Sequence, residues 1–218
     1  SWPSQRSDGA LEWSSEKQLK ESLAEIEAVR NVYLAEFNKM QFHDILKNDE
    51  MLTFALTGGK AAFANNCAVC HGAGGTGNVG YPNLTAGAWL WGGKIEDIYQ
   101  TLQFGIRSGH DEARDSQMAA FGRDGILKKE EVEILTDYVL GLQNHVQASV
   151  NAEGLFKQHC ASCHGAKGEG GREFGAPALN DAVWLYGDSR EVVYDVIYNG
   201  RQGVMPYWAG KLDDATIR

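Results

Sequence analysis

Two copies of one five-residue pattern, Cys-x-x-Cys-His, constrain this chain more than any other feature. They use all four of its cysteines. The pattern is the attachment signature of a c-type haem. Cysteines three apart lie about one helical turn from each other, so both thiols can bond the two vinyl groups on one porphyrin edge. The following histidine can then bind the iron. The sequence predicts two covalently attached haem c groups, bonded by Cys67, Cys70, Cys160 and Cys163 and ligated by His71 and His164.

Other uses of four cysteines fit less well. A zinc ribbon places its two pairs roughly 15–20 residues apart, whereas about 90 residues separate these pairs. Two disulfides would not explain a histidine after each pair. A thioredoxin-like site would need one Cys-x-x-Cys in a strand–helix context.

Length and charge limit the classes of partner. A chain of 218 residues suits two small domains, and each haem would form part of its domain's core. The net charge of −9 argues against nucleic acid. The acidity is consistent with a positively charged docking partner and equally with plain solubility. No run of eighteen apolar residues is present, so we expect no membrane span here.

The start of the chain gives an expectation about location. It opens at Ser1 without a methionine or a visible signal peptide, so we expect a piece of a longer product. Covalent haem attachment to this motif takes place outside the bacterial cytoplasm, which predicts a periplasmic location.

The second half of the chain repeats the first. The segment Ala88–Gly92 matches Val183–Gly187, and the two copies stay 95 residues apart through Gly105 and Gly200. The separation falls to 87 at Met118 and Met205. The first copy therefore carries eight extra residues, around 107–117. The residues 141–146 are expected to link the copies.

Apolar periodicity predicts an all-α chain. We expect a helix over 48–67, interrupted at Gly58 and Gly59, then helices over 95–103, 130–142 and 191–198. A closing helix should begin near Asp213, a good N-cap, and we expect it to continue beyond residue 218. Before the first haem motif, a capping box at 15–18 opens an amphipathic arm. Its apolar face must be buried against the first domain or a membrane partner, and consists of Leu19, Leu23, Ile26, Tyr33 and Phe37.

Each iron needs a sixth ligand or stays open to small molecules. Thioether sulfur suits high-potential electron transfer, and Met118 and Met205 occupy corresponding places in the repeat. We expect each to serve its own domain's haem, although spacing leaves a crossed arrangement open. His110, in the insertion, is the alternative ligand for the first iron. Met40 and Met51 are expected in the core, and His43, His145 and His159 at surface or packing positions.

Further residues are expected around each haem. A ligating imidazole usually donates its other N–H to a carbonyl, and Pro82 and Pro177 lie where that carbonyl is needed. Trp89 and Trp184 either donate to haem propionates or pack in the core. Propionate counter-charges are expected from Arg107 and Arg201.

These patterns resemble class I cytochrome c. Gly59 and Phe63 before the first haem, with Leu135 and Tyr138 on the closing helix, look like that family's crossing of terminal helices. The second copy departs from the pattern, with Ala152 where the glycine would be.

Two stretches, 9–14 and 63–72, with the charged helix between them, also resemble the CcoP/FixP subunit family of cbb3-type cytochrome c oxidase. This resemblance covers nearly the whole chain. It implies an all-α fold of two tandem class I cytochrome c domains, 49–144 and 145–218, the second with a truncated C-terminal helix. An N-terminal helical arm, 1–48, would follow a membrane anchor outside this chain.

The same resemblance implies a function. The chain would be a non-catalytic electron carrier at the periplasmic face of the bacterial inner membrane. It would accept electrons from a donor cytochrome c and pass them to a monohaem subunit and then an oxygen-reducing subunit, with Met118 and Met205 as axial ligands. The alternatives are a free dihaem carrier, the cytochrome subunit of a periplasmic dehydrogenase and, with an open iron site, a dihaem peroxidase or gas sensor.

Overall fold

The computed structural model describes residues 14–144 and 149–218, which form ten helices and no strand. The helices are α1 (Ser15–Phe37), α2 (Phe42–Ile45), α3 (Asp49–Asn66), α4 (Ala68–His71), α5 (Ile95–Phe104), α6 (Lys129–Leu142), α7 (Val150–His159), α8 (Ala161–His164), α9 (Arg190–Asn199) and α10 (Asp214–Ile217). The all-α prediction is confirmed. Residues 1–13 and 145–148, which include part of the arm, part of the expected link and His145, lie outside the described residues.

The chain divides into two compact units, one ending at Thr57 and the other beginning at Gly58. In the first unit, Ser14 rather than Ser15 is the N-cap of α1, and its Oγ accepts from the Lys17 N–H at 3.1 Å. The predicted capping box is therefore misplaced by one residue. Met51 is buried, as predicted, whereas Met40 is half-buried.

The predicted apolar face of the arm is largely uncovered. Only Phe37 in α1 is buried. Leu19, Leu23 and Ile26 each expose more than half of their surface. The C-terminal end of α1 is packed, since Tyr33 stacks on Phe54 with ring centroids 5.6 Å apart.

Helix α3 is continuous, and the predicted interruption at Gly58 and Gly59 is wrong. Glycine in a helix interior costs about 1 kcal/mol relative to alanine but does not break the hydrogen-bond ladder. Both glycines have open space where a Cβ would lie, so close packing is not what requires them.

The middle and closing helices begin and end within about a residue of their predicted bounds. Helix α9 begins after Ser189, whose Oγ accepts from the Val192 N–H, and ends at Gly200 with φ +68°. Helix α5 ends in the same way at Gly105, with φ +74°. Asp213 caps α10 as predicted, through an Oδ1 that accepts from the Thr216 N–H at 3.0 Å.

The partner of α6 differs from the expectation. Helix α6 was expected to close the first domain by crossing α3, but it packs against α7 and α9 of the second repeat. Leu135 is fully buried in that core and Tyr138 packs against it, so the predicted pairing with Gly59 and Phe63 is wrong. The core consists of Leu127, Val132, Leu135, Val139, Phe156, Val193 and Ile197.

The closing helix of the second repeat makes the reciprocal contact. Helix α10 packs against α5 of the first repeat, and the Tyr99 hydroxyl donates to the Asp214 carboxylate. The chain preceding α10 follows the same surface, since the Trp208 N–H donates to the Leu102 carbonyl at 3.0 Å. The two repeats have exchanged their C-terminal segments.

No helix among the described residues combines the length and the apolar character needed to cross a bilayer.

Candidate functional site

The two methionine segments lie on the repeat opposite their own. Met118 and Arg201 exchange backbone hydrogen bonds of 3.0 and 3.2 Å just after α9. Met205 and Ile106 exchange bonds of 2.9 and 3.0 Å just after α5. Each methionine is thereby attached to the helix end of the other repeat.

A cavity of about 290 Å³ contains the second haem motif and Met118. Cys160, Cys163 and His164 line it from the second repeat, whereas Met118 comes from the first. Its other lining residues are mostly apolar and include Leu179, Val193 and Ile197. An imidazole and a thioether from different repeats thus share one apolar cavity.

Both motif histidines are oriented by a proline carbonyl. His71 Nδ1 lies 3.1 Å from the Pro82 oxygen, and His164 Nδ1 lies 2.9 Å from the Pro177 oxygen. A proton on Nδ1 makes that nitrogen the donor and leaves the Nε2 lone pair free for a metal.

Burial favours the neutral form of the second histidine. Loss of hydration lowers the pKa of His164, and the hydrogen bond to Pro177 opposes that change only in part. A neutral imidazole is the form that binds iron. Burial also raises the pKa of the Cys160 thiol to about 11. All four thiols are outside any disulfide, and all four lie within the described residues.

The two tryptophans are placed differently. The indole Nε1 of Trp184 is buried without a hydrogen-bond partner within the part of the chain described. Trp184 lines the 290 Å³ cavity and a second, wider groove of about 680 Å³, which Trp89 also lines. A buried N–H without an acceptor costs about 1–3 kcal/mol, so an acceptor on a bound group in the cavity would stabilise this arrangement.

The repeat partner of Arg201 is Arg114, not Arg107. Arg201 lies over the Tyr186 ring at 4.9 Å, and Arg114 lies over the Trp91 ring at 5.6 Å. Tyr186 and Trp91 are themselves equivalent in the repeat. Arg114 was not among the predicted site residues, although the sequence carries a signal: each of these arginines precedes its methionine by four residues.

Arg107 nevertheless lies at the second site. It lines the 290 Å³ cavity together with Arg201. The Arg107 Nε donates to the Gly203 carbonyl at 2.5 Å, and its Nη1 donates to the Ser116 carbonyl. The two expected counter-charges therefore meet at one site rather than serving one site each.

The other described histidines lie apart from the motif residues or against aromatic rings. His43 is exposed and pairs with Asp44. His110 packs between Phe104 and Tyr207, with centroid separations of 4.8 and 5.5 Å. His159 contacts the Phe121 ring edge-on at 6.1 Å and lines the cavity.

These residues fit a covalently bound haem at the second motif. The cavity is apolar, and it supplies two thiols, an oriented imidazole, a thioether, two guanidinium groups and a buried N–H without an acceptor. The first motif repeats the imidazole–carbonyl contact, and Met205 is attached beside α5.

Two family profiles match the chain, one over each repeat. The profile of the cytochrome c family matches residues 56–143. The profile of cytochrome c oxidase, cbb3-type, subunit III matches residues 148–218.

Curated relatives are similar over most or all of the chain. Subunit FixP of a cbb3-type cytochrome c oxidase from Bradyrhizobium diazoefficiens is 40% identical over 223 residues, which cover 100% of this chain and 77% of the relative. Subunit CcoP from Azospirillum brasilense is 40% identical over 229 residues, covering 100% and 78%. Subunit CcoP from Cereibacter sphaeroides is 46% identical over 179 residues, covering 80% and 61%. With two cytochrome c repeats and this degree of identity, the chain belongs to the CcoP/FixP family of cbb3-type cytochrome c oxidase subunits.

Proposed function

We propose that this chain is the dihaem electron-transfer subunit of a cbb3-type oxidase and that its two haems are ligated across the repeats. Cys160, Cys163, His164 and Met118 would hold the second haem. Cys67, Cys70, His71 and Met205 would hold the first. The observation that carries the proposal is that Met118 and His164 line one cavity although they belong to different repeats.

Bound haem supplies an iron that gains and loses one electron. The chain's own residues fix and enclose that centre. The Pro82 and Pro177 carbonyls hold the imidazoles in orientation. The apolar walls keep water away, and a thioether favours the reduced iron relative to a second imidazole. The proposed role needs no substrate pocket, because only an electron moves.

Partners follow from the family. We propose that other subunits of the oxidase receive the electrons and that a donor cytochrome c supplies them. We also propose that an anchor outside this chain holds it at the periplasmic face of the inner membrane. The stretches 49–144 and 145–218 would remain the units of sequence duplication, although each haem site draws on both.

Single-haem chains test the crossed ligation. In a Cys67→Ser/Cys70→Ser chain only the second haem is attached. We expect Met118→Ala to abolish the methionine–iron charge-transfer band of that chain, whereas Met205→Ala leaves it. In a Cys160→Ser/Cys163→Ser chain the two substitutions should exchange effects. Intact mass confirms haem loading, and circular dichroism confirms the helical fold.

Two other outcomes would contradict crossed ligation. If Met205→Ala abolishes the band of the second haem, ligation is within each repeat and the crossed arrangement is wrong. If neither substitution affects either band, the methionines are packing residues.

A dihaem enzyme or gas sensor would need an open iron. We expect the reduced dihaem protein to resist carbon monoxide, because a histidine and a methionine would already bind each iron. Rapid carbon monoxide binding at either haem in the unmutated chain would contradict the electron-carrier role.

A further inference from the structure

The eight extra residues of the first repeat form a closed loop beside the second haem site. The Arg107 N–H donates to the Arg114 carbonyl at 2.8 Å, and the Arg114 N–H donates to the Gly105 carbonyl at 3.1 Å. These bonds join the two ends of the loop, so the chain resumes the repeat pattern at Arg114. The insertion is therefore a local loop, and Met118 after it keeps its position in the repeat pattern.

The residue at the start of this loop has an uncommon backbone conformation. Arg107 has φ +50°, the only positive φ outside glycine within 14–144 and 149–218. The left-handed region is unfavourable for a residue with a Cβ, because the Cβ crowds the following carbonyl oxygen. Contacts of the side chain offset this cost, since Nε and Nη1 donate to the carbonyls of Gly203 and Ser116.

Arg201 is paired with a carboxylate, whereas, in the described part of the chain, Arg107 is hydrogen-bonded only to carbonyl groups. Arg201 forms an ion pair with Asp195 at 2.5 Å. Arg107 donates to neutral carbonyls, and the Asp115 carboxylate acts on it only through its field. Arg107 is half-buried at the edge of the cavity, and this burial lowers the pKa of its guanidinium. Its charge is therefore weakly screened.

The repeat places no equivalent cation at the first site. Arg107 lies within the eight-residue insertion, so the second repeat has no residue that corresponds to it. Arg107 lines the second motif's cavity, so the insertion adds a cation there that the repeat pattern does not supply.

We propose that the insertion positions Arg107 as a potential-setting residue for the second haem, raising its reduction potential above the value that the duplicated scaffold alone would give. A nearby positive charge disfavours the oxidised iron, which carries one more positive charge than the reduced form. The proposal rests on the proposed function, because it needs haem attached at Cys160 and Cys163.

The test is a potentiometric titration of the dihaem protein carrying Arg107→Gln, which removes the charge and keeps a polar side chain. We expect the equilibrium constant for reduction of one of the two haems to fall by about threefold to tenfold. A tenfold fall lowers the reduction potential by about 59 mV for one electron. The other step should stay in place. The chain with only the second haem should show the fall, and the chain with only the first should not.

Two further variants keep the test decisive. Asp195→Asn leaves the Arg201 charge uncompensated, so the same step should rise. Arg123→Gln removes an exposed arginine paired with Asp124 and should move neither step.

The measurements distinguish a failure of the proposed function from a failure of the role proposed for Arg107. If intact mass shows no haem at the second motif, the proposed function itself fails. If both haems are attached and Arg107→Gln moves neither step, or moves both equally, the role of Arg107 is wrong. If Asp195→Asn lowers the step, local charge does not set this potential and the proposal is overturned.

Discussion

Tyr138 and Phe156 pack with their ring centroids 5.0 Å apart, joining the closing helix of the first repeat to the opening helix of the second. Phe156 is 1% exposed, and Leu135 on the same face of α6 is fully buried. The core around the second haem motif therefore depends on residues that precede that motif in the chain.

Leu135→Ala should destabilise the protein by about 2–5 kcal/mol, because it leaves a cavity in a core that α6, α7 and α9 build together. Urea unfolding of the dihaem protein measures the change. Val150→Ala, at a position 88% exposed, is the control and should change the unfolding free energy by less than about 0.5 kcal/mol. Equal effects of the two substitutions would show that α6 does not pack as described.

Gly105→Ala should displace the Met205 segment. A Cβ at Gly105 would lie 2.5 Å from the Met205 carbonyl oxygen and 2.8 Å from the Tyr207 nitrogen. We expect the methionine–iron band of one haem to weaken and the unfolding free energy to fall by about 2 kcal/mol or more. Gly109→Ala is matched, since its φ of +81° is similar but nothing lies within 4 Å. It should show only the backbone cost and keep both bands.

Gly175→Ala should force apart the loop of the second site and the indole of Trp91. A Cβ there would lie closer than 3 Å to several indole atoms, and φ is +59°. The substitution should cost more stability than Gly125→Ala, which has φ +70° and open space. In a double-mutant cycle, adding Trp91→Leu should restore about 0.5–3 kcal/mol of the unfolding free energy lost in Gly175→Ala. Additive effects would mean that the loop and the indole move independently.

The Asp195–Arg201 pair should make stability depend on pH. The hydrogen bond from Arg201 holds the pKa of the Asp195 carboxyl below its usual range. The stabilisation is present above the unfolded pKa, about 4, and disappears as pH falls through the lower folded value. The difference in unfolding free energy between the unmutated chain and Asp195→Asn should therefore shrink from pH 6 to pH 3. Exposed Glu173→Gln should give no such trend, and a constant Asp195→Asn difference would contradict the pairing.

The candidate site could be listed from sequence but not assembled. Cys-x-x-Cys-His names the haem-bonding residues by chemistry, and duplication points to Met118 and Met205 as equivalents. The same equivalence makes it impossible to read from the sequence which methionine faces which haem motif. Two similar repeats offer the same surfaces, so within-repeat and crossed arrangements bury nearly the same contacts. Spacing alone cannot choose between them.

Local patterns determined the helices, their caps and the two haem motifs, because each depends on residues close together in the chain. Tertiary structure decided which closing segment completes which repeat and brought Arg107 to the second motif's cavity. Only a short connection separates Leu142 from Val150, so α6 can pack directly on the helix that follows it. That proximity leaves the first repeat to be closed by the segment from Met205 onward, a choice made by contacts between residues far apart in the sequence.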